Sequence, residues 1–93
     1  MAKGNKQDKI TAWQKQALLG GICKKCGAYS SRLSVDHILP DWFCQSFDPT
    51  GELRLNDEEN FELICYVCNH AKGGRIDKFH PKTKELILKY INL

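Results

Sequence analysis

The sequence predicts a small α+β domain whose middle is clamped by a metal, and three observations carry that prediction. Apolar residues recur at helical spacing near both ends of the chain, short extended segments lie between them, and two Cys-x2-Cys pairs bracket those segments. At 93 residues and 42% apolar composition, the chain suffices for a single domain, 1–93, with a modest core. Domains this short commonly need a staple besides the core.

Residues 8–19 are predicted to be helical. Ile10, Trp13, Ala17 and Leu18 lie at helical spacing, Asp8 is a candidate cap, and Gly20-Gly21 stops the run. ICKKCGAYSSR then places two cysteines around a tight turn. LSVDHI, at 33–38, alternates as a short strand does. Residues 40–56, with Pro40 and DPTGE, are expected to form a loop, with Trp42, Phe43 and Phe47 folding part of it down. FELI, at 61–64, is a second short strand. NHAKGG after Cys68 predicts one or two helical turns ended by Gly73-Gly74. The last segment, 81–92, begins with Pro81 near a first helical turn and carries the stripe Leu86, Ile87, Tyr90, Ile91. Repeats, low-complexity tracts and interdomain linkers are absent from the sequence.

Five cysteines stand at 23, 26, 44, 65 and 68. The basic N-terminus MAKGNKQDKI lacks the apolar stretch of a signal peptide, and no run approaches the roughly 18 apolar residues of a membrane span. The expected compartment is therefore the cytoplasm, without membrane association, where thiols serve more often as metal ligands than as disulfides. The odd count also argues against the competing reading, a redox or fully paired disulfide set. Cys23-x2-Cys26 and Cys65-x2-Cys68 form two knuckles 38 residues apart, a closed four-thiolate set suited to one structural Zn²⁺. Metal binding at such a site contributes directly to folding. Cys44 lies outside both knuckles and is expected as a buried apolar filler or a free thiol.

Inside the bracket sit an acid and a histidine side by side, Asp36-His37 in SVDHILP. Neighbours on a regular strand face opposite ways, so the two serve one site only if the strand ends or bulges there. Asn60 in ENFELIC follows, then Asn69-His70 directly after the last cysteine. In that order, C-x2-C, D-H-I, N-F-E-L-I-C-x2-C-N-H-A-K resembles the His-Asn-His (HNH) endonuclease family, in particular members whose ββα-metal motif is framed by a four-cysteine zinc site. The resemblance covers residues 23–74 and leaves flanking helices at about 8–19 and 81–92.

The resemblance implies a metal-dependent DNA endonuclease or nickase. His37 would be the general base, Asp36 and Asn69 would hold a divalent ion, and Asn60 would brace the loop beyond His37. Mg²⁺ suits the oxygen donors best, with Mn²⁺ or Ni²⁺ as alternatives. The sequence departs from the family in having Asn69 at the third motif position with His70 next to it. One helix turn offers only one of them to an ion, so His70 is the alternative ligand. Lys72, with Arg75 and Lys78 after it, are the candidate DNA contacts. The resemblance also implies a bacterial or phage-infected cell as the setting, and leaves monomer or homodimer open.

Charge agrees without deciding the matter. Residues 1–32 carry seven Lys or Arg against one Asp, residues 71–93 carry six against two acids, and residues 36–62 hold eight acids and Arg54 alone. Basic ends can meet a polyanion, with Lys3, Lys6, Lys9, Lys15, Lys82, Lys84 and Lys89 as extra grip. Two rivals remain at this stage. One is a non-catalytic zinc-stapled nucleic-acid-binding module. The other is a protein-interaction domain that uses the acidic middle.

Overall fold

The computed structural model describes residues 8–93, so Lys3 and Lys6 lie outside the described residues. In chain order its elements are α1 (Lys9–Leu18), β1 (Gly21–Ile22), β2 (Tyr29–Ser30), β3 (Ser34–His37) and α2 (Asp41–Phe47). A 3-10 turn at Glu58–Asn60, β4 (Phe61–Ile64), α3 (Tyr66–Lys72) and α4 (Thr83–Ile91) complete them. The fold is α+β, with two small antiparallel sheets, β1-β2 and β3-β4, among four α-helices.

The β3-β4 pair organises the rest. Ser34 lies opposite Ile64, Asp36 opposite Glu62 and His37 opposite Phe61. Alternation sends Asp36 and His37 to opposite faces. Lys72 of α3 meets Asp36 on one side. Trp13 of α1 stacks edge-on against Phe61 on the other, with ring centroids 5.4 Å apart. The strand pair is thus held between α1 and α3.

Helix α1 is capped from a distance. Asp8 occupies the cap position with extended backbone, but its carboxylate accepts from Asn56 Nδ2 (3.0 Å) instead of from the helix. The first free helix N–H groups go to the loop: Lys9 N donates to Asn56 Oδ1 (2.8 Å) and Ile10 N to Leu55 O (3.0 Å). After α1 the chain passes Gly20 at φ 79°, where a Cβ would lie 2.5 Å from Ser31 O, so only glycine fits.

Three expectations change here. Residues 40–56, expected as loop, begin with helix α2. Pro40 at its cap brings a fixed φ and its missing N–H costs nothing there, Asp41 favours the first turn, and Phe43, Cys44 and Phe47 share helical spacing. Helix α3 starts at Tyr66, inside the second knuckle, because Cys65 caps it by accepting from Cys68 N. The final helix runs Thr83–Ile91, shorter than 81–92.

Two apolar clusters result. Ile38, Leu39, Cys44, Leu86 and Tyr90 form one, under α2 and α4; Ala17, Cys23, Leu33 and Ile64 form the other, beside the knuckles. Of the α4 stripe, Leu86 and Tyr90 are buried and Ile91 is exposed. Cys44 is fully buried, and burial pushes its thiol up to about 11, so it behaves as an apolar filler.

Much of the acidic middle is consumed internally. Asp48 accepts from Leu53 N (2.9 Å) and Arg54 N (2.7 Å), and Arg54 reaches Asp41 at 3.0 Å. Glu58 accepts from Trp13 Nε1 (2.9 Å). Buried Asp57 accepts from Lys89 Nζ (2.9 Å) and from Tyr90 Oη (3.2 Å), tying α4 to the turn before β4. Burial, then neighbouring Cys44 and Asp57, push the Tyr90 phenol up. Asp57→Ala should therefore strand the buried Tyr90 hydroxyl, while Lys89 keeps Glu59 (3.3 Å) as a partner. The expected cost is about 1–3 kcal/mol, read as a lower urea midpoint with the slope unchanged.

Candidate functional site

Each knuckle is a short turn closed by its own sulfur: Cys26 N donates to Cys23 Sγ (3.4 Å) and Cys68 N to Cys65 Sγ (3.5 Å). The first knuckle lies between β1 and β2, and the second joins β4 to α3. All four sulfurs fall within 4.8 Å of one another, and Cys26 and Cys65 Sγ are 3.9 Å apart. A tetrahedron with metal–sulfur bonds of about 2.3 Å sets sulfur separations near 3.8 Å, so the cluster is compatible with one zinc ion.

The thiols also pull one another's protonation apart. Burial pushes Cys23 up, but backbone donors at Cys26, Cys65 and Lys25 outweigh it and bring the group down to about 6. Cys68 is pushed up to about 12, chiefly by Cys65 and then by burial.

A second cleft, of about 280 Å³, brings together Asp36, His37, Asn69 and Lys72, with Trp42 and Gly74 in its wall. Trp42 Nε1 donates to Gly74 O at 2.7 Å, joining α2 to the end of α3. Strand β3 ends at His37, and Ile38 N donates to Asn60 O (2.9 Å), one step further along the same antiparallel register.

His37 stands edge-on to Phe61, 5.4 Å between ring centroids, and Trp13 backs Phe61. Its Nε2 is the one buried side-chain nitrogen or oxygen without a hydrogen-bond partner among the described residues. Burial is the main cause that lowers the His37 pKa below the ordinary 6.5; the Asp41 and Asp36 carboxylates oppose it, while Lys72 and Arg54 add to it. The imidazole is therefore neutral at pH 7.

Asn60, fully buried, clamps the turn beyond His37. Its Oδ1 accepts from Leu39 N (2.7 Å), and its Nδ2 donates to Leu39 O (3.1 Å) and toward Cys44 Sγ (3.7 Å). Asn69, half-buried on α3, faces the cleft residues, whereas His70 is exposed and stacked on Tyr66, 5.6 Å between centroids. Of the two candidate ligands, only Asn69 lines the cleft.

Lys72 differs from a free surface cation. It is buried, and its ammonium donates to Asp36 Oδ1 (3.0 Å) and His37 O (2.6 Å). It acts as a fixed part of the cleft wall. Arg75 and Lys78 are exposed on the segment beyond α3. Arg75 folds back on that helix, donating to Lys72 O (3.1 Å) and Ala71 O (2.6 Å).

The sequence reading missed three supports: Phe61 and Trp13 behind His37, the Lys72–Asp36 pair, and Glu62 bonded to His80 Nε2 at 2.7 Å. Phe61 was open to discovery, because it directly follows Asn60 and opens the partner strand. The other contacts join residues far apart in sequence and leave no local signal.

The metal cluster predicts one zinc per chain by metal analysis. Cys65→Ser or a strong chelator should abolish the near-ultraviolet circular dichroism, while Cys44→Ser keeps its zinc. The buried ion pair makes a separate prediction. Lys72→Ala should cost about 3–5 kcal/mol in denaturant unfolding by leaving Asp36 unpaired, and an Asp36→Ala/Lys72→Ala double variant should cost less than the two singles together.

Compared with known proteins, the chain matches no protein-family model, no curated protein and no solved structure.

Proposed function

We propose that the chain is a divalent-cation-dependent endonuclease that hydrolyses phosphodiester bonds in DNA, and that β3, β4 and α3 form a ββα-metal site of the HNH type. What supports this reading above all is His37. A half-buried, neutral imidazole whose Nε2 has no hydrogen-bond partner among the described residues shares a cleft with a carboxylate, an amide and an ammonium. A pure binding module has no use for an unpartnered, uncharged histidine lining a cleft; a hydrolase does, as general base.

Each residue then has a task. His37 takes the proton from the attacking water. Phe61 and the Asn60 clamp fix the imidazole from its side and from the turn beyond. Lys72 holds Asp36 in place and keeps positive charge beside the position of the phosphate. Asp36 retains one carboxylate oxygen, and Asn69 its side-chain amide, without a hydrogen-bond partner among the described residues. Two hard oxygen donors on one cleft fit a Mg²⁺-like cation that keeps most of its waters. When bound, such an ion supplies electrostatic stabilisation of the phosphate and the leaving oxygen. One such site per chain acts on one strand at a time, so nicking is the expected product.

The test is relaxation of supercoiled plasmid by the zinc-loaded protein, with and without added Mg²⁺, Mn²⁺ or Ni²⁺. Nicking should require the added cation, vanish in folded His37→Ala and in Asn69→Ala, and persist in His70→Ala. Because only the neutral imidazole acts as a base and its pKa is lowered, the acidic limb of the rate profile should lie below pH 6.5. No nicking with any cation, by a folded and zinc-loaded chain, would sink the reading.

A further inference from the structure

A cavity beside the catalytic cleft holds none of Asp36, His37 or Asn69. It measures about 480 Å³, within the range of pockets that take nucleotide-sized groups. It opens between α3 and the segment leading to α4, and its lining includes Lys25, Lys72, Arg75, Lys78 and Phe79. Lys72 lines both hollows, so they adjoin across that side chain.

Charge around this groove is uneven. Asp77, its acid, is neutralised by Lys25 at 2.7 Å; that ammonium holds the Asp77 carboxyl below its usual range. Lys72 is likewise spent on Asp36. Arg75 bonds helix carbonyls only, and Lys78 has no partner among the described residues, so two positive charges stay uncompensated at the rim.

Phe79 completes the groove. It is 93% exposed, the most exposed large apolar side chain among the described residues, although it stands in a structured turn. Asp77 Oδ1 accepts from Phe79 N (3.0 Å), so the Lys25–Asp77 pair fixes the backbone of the turn that carries the ring. A single exposed apolar residue is ordinary. An aromatic ring at the edge of a groove with two unpaired cations is the arrangement that binds single strands, bases stacking on the ring while phosphates meet the cations. In an intact duplex the base faces are already stacked on their neighbours, so the ring gains nothing from it.

We propose that this groove receives an unpaired DNA strand, one base stacked on Phe79 and adjoining phosphates on Arg75 and Lys78. The substrate class of the cleft is then single-stranded or locally unpaired DNA. The proposal rests on the nuclease reading for the meaning of the groove, but binding can be tested without cleavage.

The experiment is fluorescence anisotropy of the zinc-loaded chain, with no other divalent cation, against a labelled oligothymidylate and a blunt duplex. The single strand should bind more tightly. Phe79→Ala should weaken it roughly five-fold or more while changing duplex binding less than about two-fold, and Phe79→Trp should retain it. Lys78→Gln should lower the slope of log affinity against log salt by about 0.7 for the single strand. Wild-type affinity in Phe79→Ala, equal losses on both probes, preference for the duplex, or no binding to either probe would each overturn the proposal. A chain that never nicks, yet loses single-strand binding in Phe79→Ala, would refute the nuclease reading and leave the groove standing. A chain that nicks, with Phe79→Ala binding normally, would do the reverse.

Discussion

The four-sulfur cluster is the constraint from which the remaining geometry follows. One knuckle precedes β3, and the other closes β4 and opens α3. Drawing the sulfurs onto one ion would therefore fix the ends of the strand pair and the start of α3 together. The angle of α3 decides where Asn69 and Lys72 point. Without the cluster, a seven-residue helix and two four-residue strands are too short to hold their places, since isolated elements of this length are marginal in water.

Around that clamp the fold is tied by polar side chains as much as by apolar packing. Asn56 caps α1, Asp57 holds α4, Asn60 clamps the turn after β3, and Asp36 holds Lys72. Buried polar groups are costly unless every partner is present, so these ties impose one arrangement on two modest apolar clusters. The segment 48–60, which looks like a solvated acidic loop, is the frame on which α1, α4 and the turn after β3 are hung.

The chain discloses its local features readily. The helix at 9–18, the strands containing SVDH and FELI, the stop at Gly73 and the knuckles each follow from spacing or turn chemistry within a short window. Helix α2 went unrecognised because DPTGE, just beyond it, reads as loop, while Pro40 and Asp41 are as much a helix start as a turn. The site is legible only in part. Asp36, His37, Asn60 and Asn69 stand out through their order along the chain. The Lys72 pair, the ring of Trp13 behind Phe61 and the outward Phe79 depend on how distant elements meet, which one sequence does not encode in any local pattern.

The pairing of β3 with β4 has a consequence for how the molecule forms. The strands are joined through residues 38–60, so their hydrogen bonds reward the chain only after a long closure. Such non-local pairing slows folding relative to helices. The knuckles sit at the outer ends of the two strands, opposite that connection. A metal held by both would bring those ends together before the ladder forms and shorten the search by the intervening segment. A staple of that kind would act on the rate at which the molecule forms as well as on the stability of the finished fold.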